Sequence, residues 1–284
     1  AMIERDLEAV RTLRRNGYGK IAKRADARHV DFKQWMGVDL VAGGPPCQPF
    51  SVGGVDGGDD DPRDGWPTAA RAVSEIRPRA FVFENVAGLA RDKFSAYLAS
   101  VVKRFSSLGY TVSVHAVDAA DYGVPQHRKR LFIVGFRDLV CTFKKPLPTT
   151  KYFRVTVADV FASLGPPNGH NGHVQHKSTP RSYPGHTGST LDKPAKTLIA
   201  GCNGPSGGST MVTLADGTKR YFTLREQARL QSFPDHYKLH TGWSHGTKQI
   251  GNACPVLLAK AFGCAILAAL KRPPPPDDSD LEEL

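Results

Sequence analysis

Over residues 1–138, short apolar runs alternate with stretches whose apolar residues recur at helical spacing. That alternation restricts the chain to a sheet whose strands are joined through helices. Val38-Asp39-Leu40-Val41-Ala42, Ala80-Phe81-Val82-Phe83-Glu84, Tyr110 to Ala116 and Arg130 to Phe136 read as strands, as does Ile21 to Arg24. Ala1 to Glu4 reads as a strand end. Asp6 to Asn16 puts Leu7, Val10 and Leu13 on one helical face, and Gly17 stops it. Pro67 to Ile76 and Phe94 to Leu108 are the other helices of this part. The expected fold class is α/β, a doubly wound and largely parallel sheet.

The texture changes near Lys144, where Pro, Gly, Thr, Ser and His replace periodic apolar runs. Lys196 to Ala200 is a short strand at best. A helix is expected from Thr223 to Gln231, with Thr223 as N-cap and Glu226 three residues on. Pro255 to Leu270 reads as an apolar helix opened by proline, which returns the chain to the first domain. The expected domains are 1–143 with 246–272, a loop-rich domain over 144–245, and a disordered acidic tail over 273–284.

No stretch approaches the ~18 consecutive apolar residues of a membrane span, and the N-terminus lacks a basic-then-apolar signal pattern. Five scattered cysteines without a CxxC pair argue against a disulfide framework and a zinc site, and fit a reducing cytoplasm. Irregular spacing of the four histidines from His170 to His186 argues against a metal there. The net charge of +11, with acids concentrated in Asp59 to Asp61 and in the tail, makes a polyanion such as nucleic acid the expected partner.

Four places carry candidate chemistry. In Gly43-Gly44-Pro45-Pro46-Cys47-Gln48-Pro49-Phe50-Ser51 a lone cysteine follows a strand that glycine and proline have stopped. A nucleophile belongs at such a strand end, although most free cysteines are small buried hydrophobes. Glu84 ends the strand AFVFE, as a site carboxylate or a strand cap. Arg128 and Arg130 in Gln126-His127-Arg128-Lys129-Arg130 alternate to one side before a strand, to grip a phosphate or a base, or as a solvated turn. Gln249 to Pro255 (QIGNACP) is expected as a polar turn before the last helix, facing a ligand or capping it.

Taken in order, GGPPCQPFS, Glu84-Asn85-Val86, QHRKR, the segment Thr223 to Asp235 (TLREQARLQSFPD) and QIGNACP resemble the DNA (cytosine-5) methyltransferases of bacteria, over roughly residues 1–270. The resemblance implies a Rossmann-like, S-adenosylmethionine-dependent domain and a target-recognition region at 144–245. It implies Cys47 as the nucleophile that adds to cytosine carbon 6, Glu84 on the ring nitrogen and amine, and Arg130 on the base carbonyl, with Arg128 in support. The target base leaves the stack to reach them. For S-adenosylmethionine it implies Glu4 on the ribose hydroxyls, Asp26 near the adenine amine, and Pro46, Trp66 and Asn252 nearby. Arg5 occupies the place of an adenine-stacking aromatic. Gln48, Ser51, Gln126, Thr197 and Leu198 are implied on the DNA side, and a bacterial cytoplasm as the location.

Family members open with a strand and a glycine-rich FxGxGG turn upstream of the Glu4 position, and these 284 residues contain none. The expectation is a sheet without its central first strand, in a fragment or subunit whose missing motif a second polypeptide supplies. A non-catalytic DNA-binding relative or regulatory subunit is the alternative. A tRNA methyltransferase is a lesser one, since Tyr221-Phe222-Thr223 stands where that branch has Cys-Phe-Thr.

Overall fold

The computed structural model describes residues 1–46, 64–137, 143–181, 183–184, 186–200 and 208–271. Its elements are β1 (Met2–Glu4), α1 (Leu7–Leu13), β2 (Ala22–Arg24), β3 (Leu40–Gly43), α2 (Trp66–Ile76), β4 (Ala80–Val86), α3 (Ser95–Ser106), β5 (Thr111–Asp118) and β6 (Lys129–Phe136). These are followed by α4 (Val157–Ala162), β7 (Met211–Thr213), β8 (Lys219–Tyr221), α5 (Leu224–Leu230), α6 (Trp243–Asn252) and α7 (Val256–Leu270). Strands β1 and β2 form a parallel pair, β7 and β8 an antiparallel one, and a four-stranded sheet has the order β3-β4-β6-β5. Within it β3 runs parallel to β4 and β4 antiparallel to β6, so the sheet is mixed.

The chain divides into two compact units. The first comprises Ala1–Val30, Asp118–Lys129 and Pro148–Ala259; the second comprises Asp31–Val117, Arg130–Leu147 and the described residues from Lys260. Sequence texture kept the N-terminal segment with residues 31–143, whereas here it groups with 148–259. Polar side chains bridge these segments. Lys248 Nζ meets Asp6 Oδ2 at 2.9 Å, His240 Nε2 meets Glu8 Oε2 at 3.1 Å, and Asn16 exchanges side-chain hydrogen bonds with the Lys238 backbone. Such pairings leave no periodic trace for a sequence reading to follow.

In the first unit α5 is a hub. Its N-cap Thr223 forms a capping box with Glu226, as the spacing predicts. Glu226 is buried and takes both ends of the Arg220 guanidinium at 2.7 and 2.6 Å. Arg225, 2% exposed, donates to the carbonyls of Asn171, Pro234 and Tyr237. Leu224, Ala228 and Leu230 pack with Val157, Phe222 and Ile250 beneath it. Two expectations fail here. Lys196 to Ala200 forms no strand; only an isolated bridge joins Gln126 to Ala195. Gln249 to Asn252 closes the helix α6 and is not a turn.

The second unit is aromatic. Phe81 lies 4.4 Å from Phe105 between ring centroids, and Phe83 and Tyr110 join them. Leu131 to Phe136 on β6 are all buried, which accounts for an unbroken apolar run in place of alternation. Phe262 of α7 stacks on Phe132 at 3.9 Å. The stretch Trp243–Leu270 passes a length and composition test for a membrane span, but extended Ala253 separates α6 from the 15-residue α7. Within it Leu258, Phe262, Ile266 and Ala269 are buried at helical spacing, the pattern of a helix packed against protein on one side.

Candidate active site

Strand β3 stops at Gly43, and the next three residues lie against the C-terminal end of β4. Asn85 Nδ2 donates to the Pro45 carbonyl at 3.1 Å. A Cβ on Gly44 would fall 3.6 Å from Glu84 Oε2, which places the Gly44 backbone beside the carboxylate. Opposite, the β4–β6 register pairs Val86 with Arg130 and Glu84 with Phe132. Arg130 Nε lies 2.6 Å from Glu84 Oε1, with both side chains largely buried. This is an ion pair and not a directed hydrogen bond: among the described residues no N–H is aimed at Oε1. A carboxylate held by charge alone keeps its lone pairs for another donor. Cys47, the next residue after Pro46, lies outside the described residues together with Gln48 and Ser51.

The stem that returns to α2 meets the same backbone. Gly65 N–H donates to the Pro46 carbonyl at 3.1 Å. Asp64 accepts the Trp66 N–H at 2.9 Å and the Tyr97 hydroxyl at 2.5 Å. Sequence reading missed Asp64, Gly65 and Tyr97. An Asp-Gly pair opening a helix at Trp-Pro marks the turn, but nothing in the sequence links it to Tyr97.

Several expected assignments need correction. Trp66 is 1% exposed and meets Phe83 and Phe105 edge-on at 6.0 and 6.3 Å, so it is a core residue and lines no cofactor site. Arg128, 2% exposed, donates to the carbonyls of Leu198, Gly251 and Ala253. It lies just ahead of β6, where strand alternation does not govern its direction, and it ties the C-terminal end of α6 to residue 198. Gln126 is fully buried and bonds Leu198 N–H, the Leu230 carbonyl and Gln231. Leu198 is 1% exposed, and the Thr197 hydroxyl donates to the His127 carbonyl at 2.6 Å. Arg128, Gln126 and Leu198 are buried in the packing of the first unit, while Thr197 is half-buried alongside. Beside them, His127 Nδ1 lies 2.9 Å from Asp118 Oδ2. Burial pushes the Asp118 carboxyl up, but hydrogen bonds from His127 and the Ala120 and Arg128 backbone bring it below its ordinary value.

Glu4 and Asp26 stand at the C-terminal ends of the parallel strands β1 and β2, where such folds place nucleosides. Glu4 Oε1 accepts the Asp6 N–H at 2.7 Å, which aims the carboxylate. Asp26 is taken: Arg28 Nε and Nη2 reach it at 3.0 and 2.6 Å and hold its carboxyl well below the ordinary range. Arg5 is exposed beside Glu4, and Asn252 is exposed at the last position of α6.

The site thus pairs a carboxylate and a guanidinium at the strand ends of a mixed sheet. Residues 1–268 match the C-5 cytosine-specific DNA methylase family, and the chain belongs to it. Over 285 residues it is 32% identical to the type II methyltransferase M.NgoMIV of Neisseria gonorrhoeae, covering 96% of this chain and 91% of the relative. It is 37% identical over 254 residues to M.AplI of Arthrospira platensis, covering 83% and 70%. Among solved structures, a mutant of DNMT2 from Spodoptera frugiperda superposes with a TM-score of 0.73 at 16% identity, over 94% of this chain and 91% of that one, a likeness of fold.

Proposed function

We propose that this chain methylates carbon 5 of cytosine in DNA, using S-adenosylmethionine, through a covalent adduct at Cys47 on a base swung out of the duplex. The observation that carries this is the Glu84–Arg130 pair facing Gly44 to Pro46, one residue before Cys47. Cytosine carbon 5 is a weak nucleophile. Addition of the Cys47 thiolate to carbon 6 gives carbon 5 enamine character. Glu84 accepts from the exocyclic amine and, carrying a proton, donates it toward ring nitrogen 3, which meets the negative charge that develops there as the thiolate adds. Arg130 takes the base carbonyl while holding Glu84 in place. Carbon 5 then gains a methyl group, loses its proton to a base such as water, and expels the thiolate to restore the ring. Bound S-adenosylmethionine supplies that methyl group as an electrophile.

Glu4 suits the ribose diol, since one oxygen is fixed by the Asp6 N–H and the other remains. Asp26 suits an amine only if Arg28 swings away. That ion pair is exposed and screened by solvent, so displacement is cheap. Residues 144–245 serve target recognition, in the cytoplasm of a bacterium and, by the relatives' kind, in a type II restriction system. Among the described residues strand β3 is paired on one side only, and Val38 and Leu40 before and on it are 40% and 37% exposed, where parallel strands are ordinarily covered. A further strand, from the same protein or a second polypeptide, completes that edge. The Asp26–Arg28 pair favours one other reading, a DNA-binding relative without cofactor uptake.

DNA carrying 5-fluorocytosine decides between them. The chain, given a glycine-rich strand segment and the cofactor, is expected to trap this DNA covalently, and Cys47→Ser is expected to abolish the product. Trapping that persists in Cys47→Ser, or none with the segment present, overturns the proposal. Salt-sensitive DNA binding without calorimetric uptake of cofactor establishes the second reading.

A further inference from the structure

We propose that Asp64, Gly65 and Tyr97 are positioning residues that fix the backbone entering residue 47, from the side opposite β4. The inference rests on the reading of Cys47 as nucleophile and extends it to residues that touch neither base nor cofactor.

Between Gly43 and Pro46 the chain has no sheet partner of its own, yet two hydrogen bonds hold it. Asn85 on β4 takes the Pro45 carbonyl, and Gly65 takes the Pro46 carbonyl. A peptide unit is planar, so holding the Pro46 carbonyl oxygen fixes the plane in which the chain leaves Pro46. Gly65 can approach because it lacks a side chain: a Cβ there would lie 2.4 Å from Pro46 Cδ and 2.8 Å from Pro46 N. Both prolines are conformationally stiff, so the clash has no soft partner to absorb it.

Gly65 is itself held from both flanks. Trp66 anchors it in the aromatic core. Asp64 is pinned by the Trp66 N–H on one oxygen and the Tyr97 hydroxyl of α3 on the other. The path from α3 to the strand end is thus continuous: Tyr97 hydroxyl, Asp64 carboxylate, Gly65 N–H, Pro46 carbonyl. Loss of the hydroxyl leaves the ring packed and the fold intact, but it frees Asp64 to rotate and loosens the approach of Gly65. Misplacement of a reacting atom by about 1 Å can cost on the order of 100-fold in rate, and a loosened contact costs less, roughly tenfold.

The test pairs two readouts on wild type, Tyr97→Phe, Asp64→Asn and Gly65→Ala. One is the alkylation rate of Cys47 by iodoacetamide, followed by peptide mass; the other is methyl transfer with its kcat and KM. Tyr97→Phe and Gly65→Ala are expected to change the Cys47 alkylation rate several-fold. They should lower kcat roughly tenfold with DNA and cofactor KM unchanged. Asp64→Asn, whose amide can still accept from Trp66 and donate to the Tyr97 oxygen, is expected to behave as wild type. If Tyr97→Phe lowers the melting temperature yet leaves both alkylation and kcat unchanged, the contact is structural only and the proposal falls. If Gly65→Ala does not fold, Tyr97→Phe decides alone. If wild type, given the glycine-rich strand segment and the cofactor, transfers no methyl group while alkylation still responds to Tyr97→Phe, the positioning role stands and the methyl-transfer reading fails.

Discussion

The two units use their buried guanidiniums differently. In the first, Arg128 and Arg225 each donate to three backbone carbonyls. In the second, Arg130 faces the carboxylate of Glu84 through charge, with no directed hydrogen bond to Oε1. Carbonyls are fixed acceptors that cannot leave, so a guanidinium placed on them is committed to the fold. A carboxylate is a charged group that can exchange one donor for another when a base arrives. On the proposed function the same residue type is cement at 128 and 225 and machinery at 130, although a carboxylate acceptor does not by itself make machinery, since Arg220 in the first unit is held by the buried Glu226.

Glu84→Gln tests the machinery. It removes the charge but keeps the shape, and methyl transfer is expected to fall by roughly 10²–10³-fold, with little change in the denaturant midpoint. A large loss of stability with activity retained would place Glu84 among the cement. Arg128→Met tests the opposite case. Three carbonyls lose their donor in a buried place, so unfolding by urea is expected to be easier by about 3 kcal/mol. The salt dependence of DNA binding by the remaining folded protein should be unchanged, because the Arg128 guanidinium is buried on backbone carbonyls; a slope shallower by about one would restore it to the DNA side.

The smallest effect belongs to a group with neither kind of charged partner. His115 lies beside Phe143 and Phe262, and its Nε2 is 2.8 Å from Ser113 Oγ. Burial, with Lys145 adding to it, pulls the imidazole below its ordinary value. A histidine depressed in the folded state contributes stability that is complete above its unfolded value, about 6.5, and is lost as pH falls through the folded one. His115→Gln is therefore expected to flatten the fall in thermal midpoint between about pH 7 and pH 5. An unchanged slope would move the acid sensitivity to another group.

Much of this molecule was legible before any coordinates. The strand Ala80 to Glu84 and the helix from Thr223 follow from local pattern, and so does the run Arg130 to Phe136, because apolar spacing and capping chemistry act within a few residues. The carboxylate at 84 and the guanidinium at 130 were named from their strand-end places, and the β4–β6 register brings them together. Other assignments were not legible. Nothing local separates Trp66 in a core from Trp66 at a pocket, and QIGNACP gave no sign of the helix α6 that it ends.

By itself, then, the sequence determined the order of elements, the family, and which residue types stand at the ends of strands. Tertiary structure alone decided what each polar side chain is bonded to. Arg128 and Arg130 differ by two positions and nothing in composition, yet one meets carbonyls contributed from residues 198, 251 and 253, and the other meets a carboxylate at 84. Those partners are distant in sequence, and the desolvation of a charge depends on what surrounds it in space.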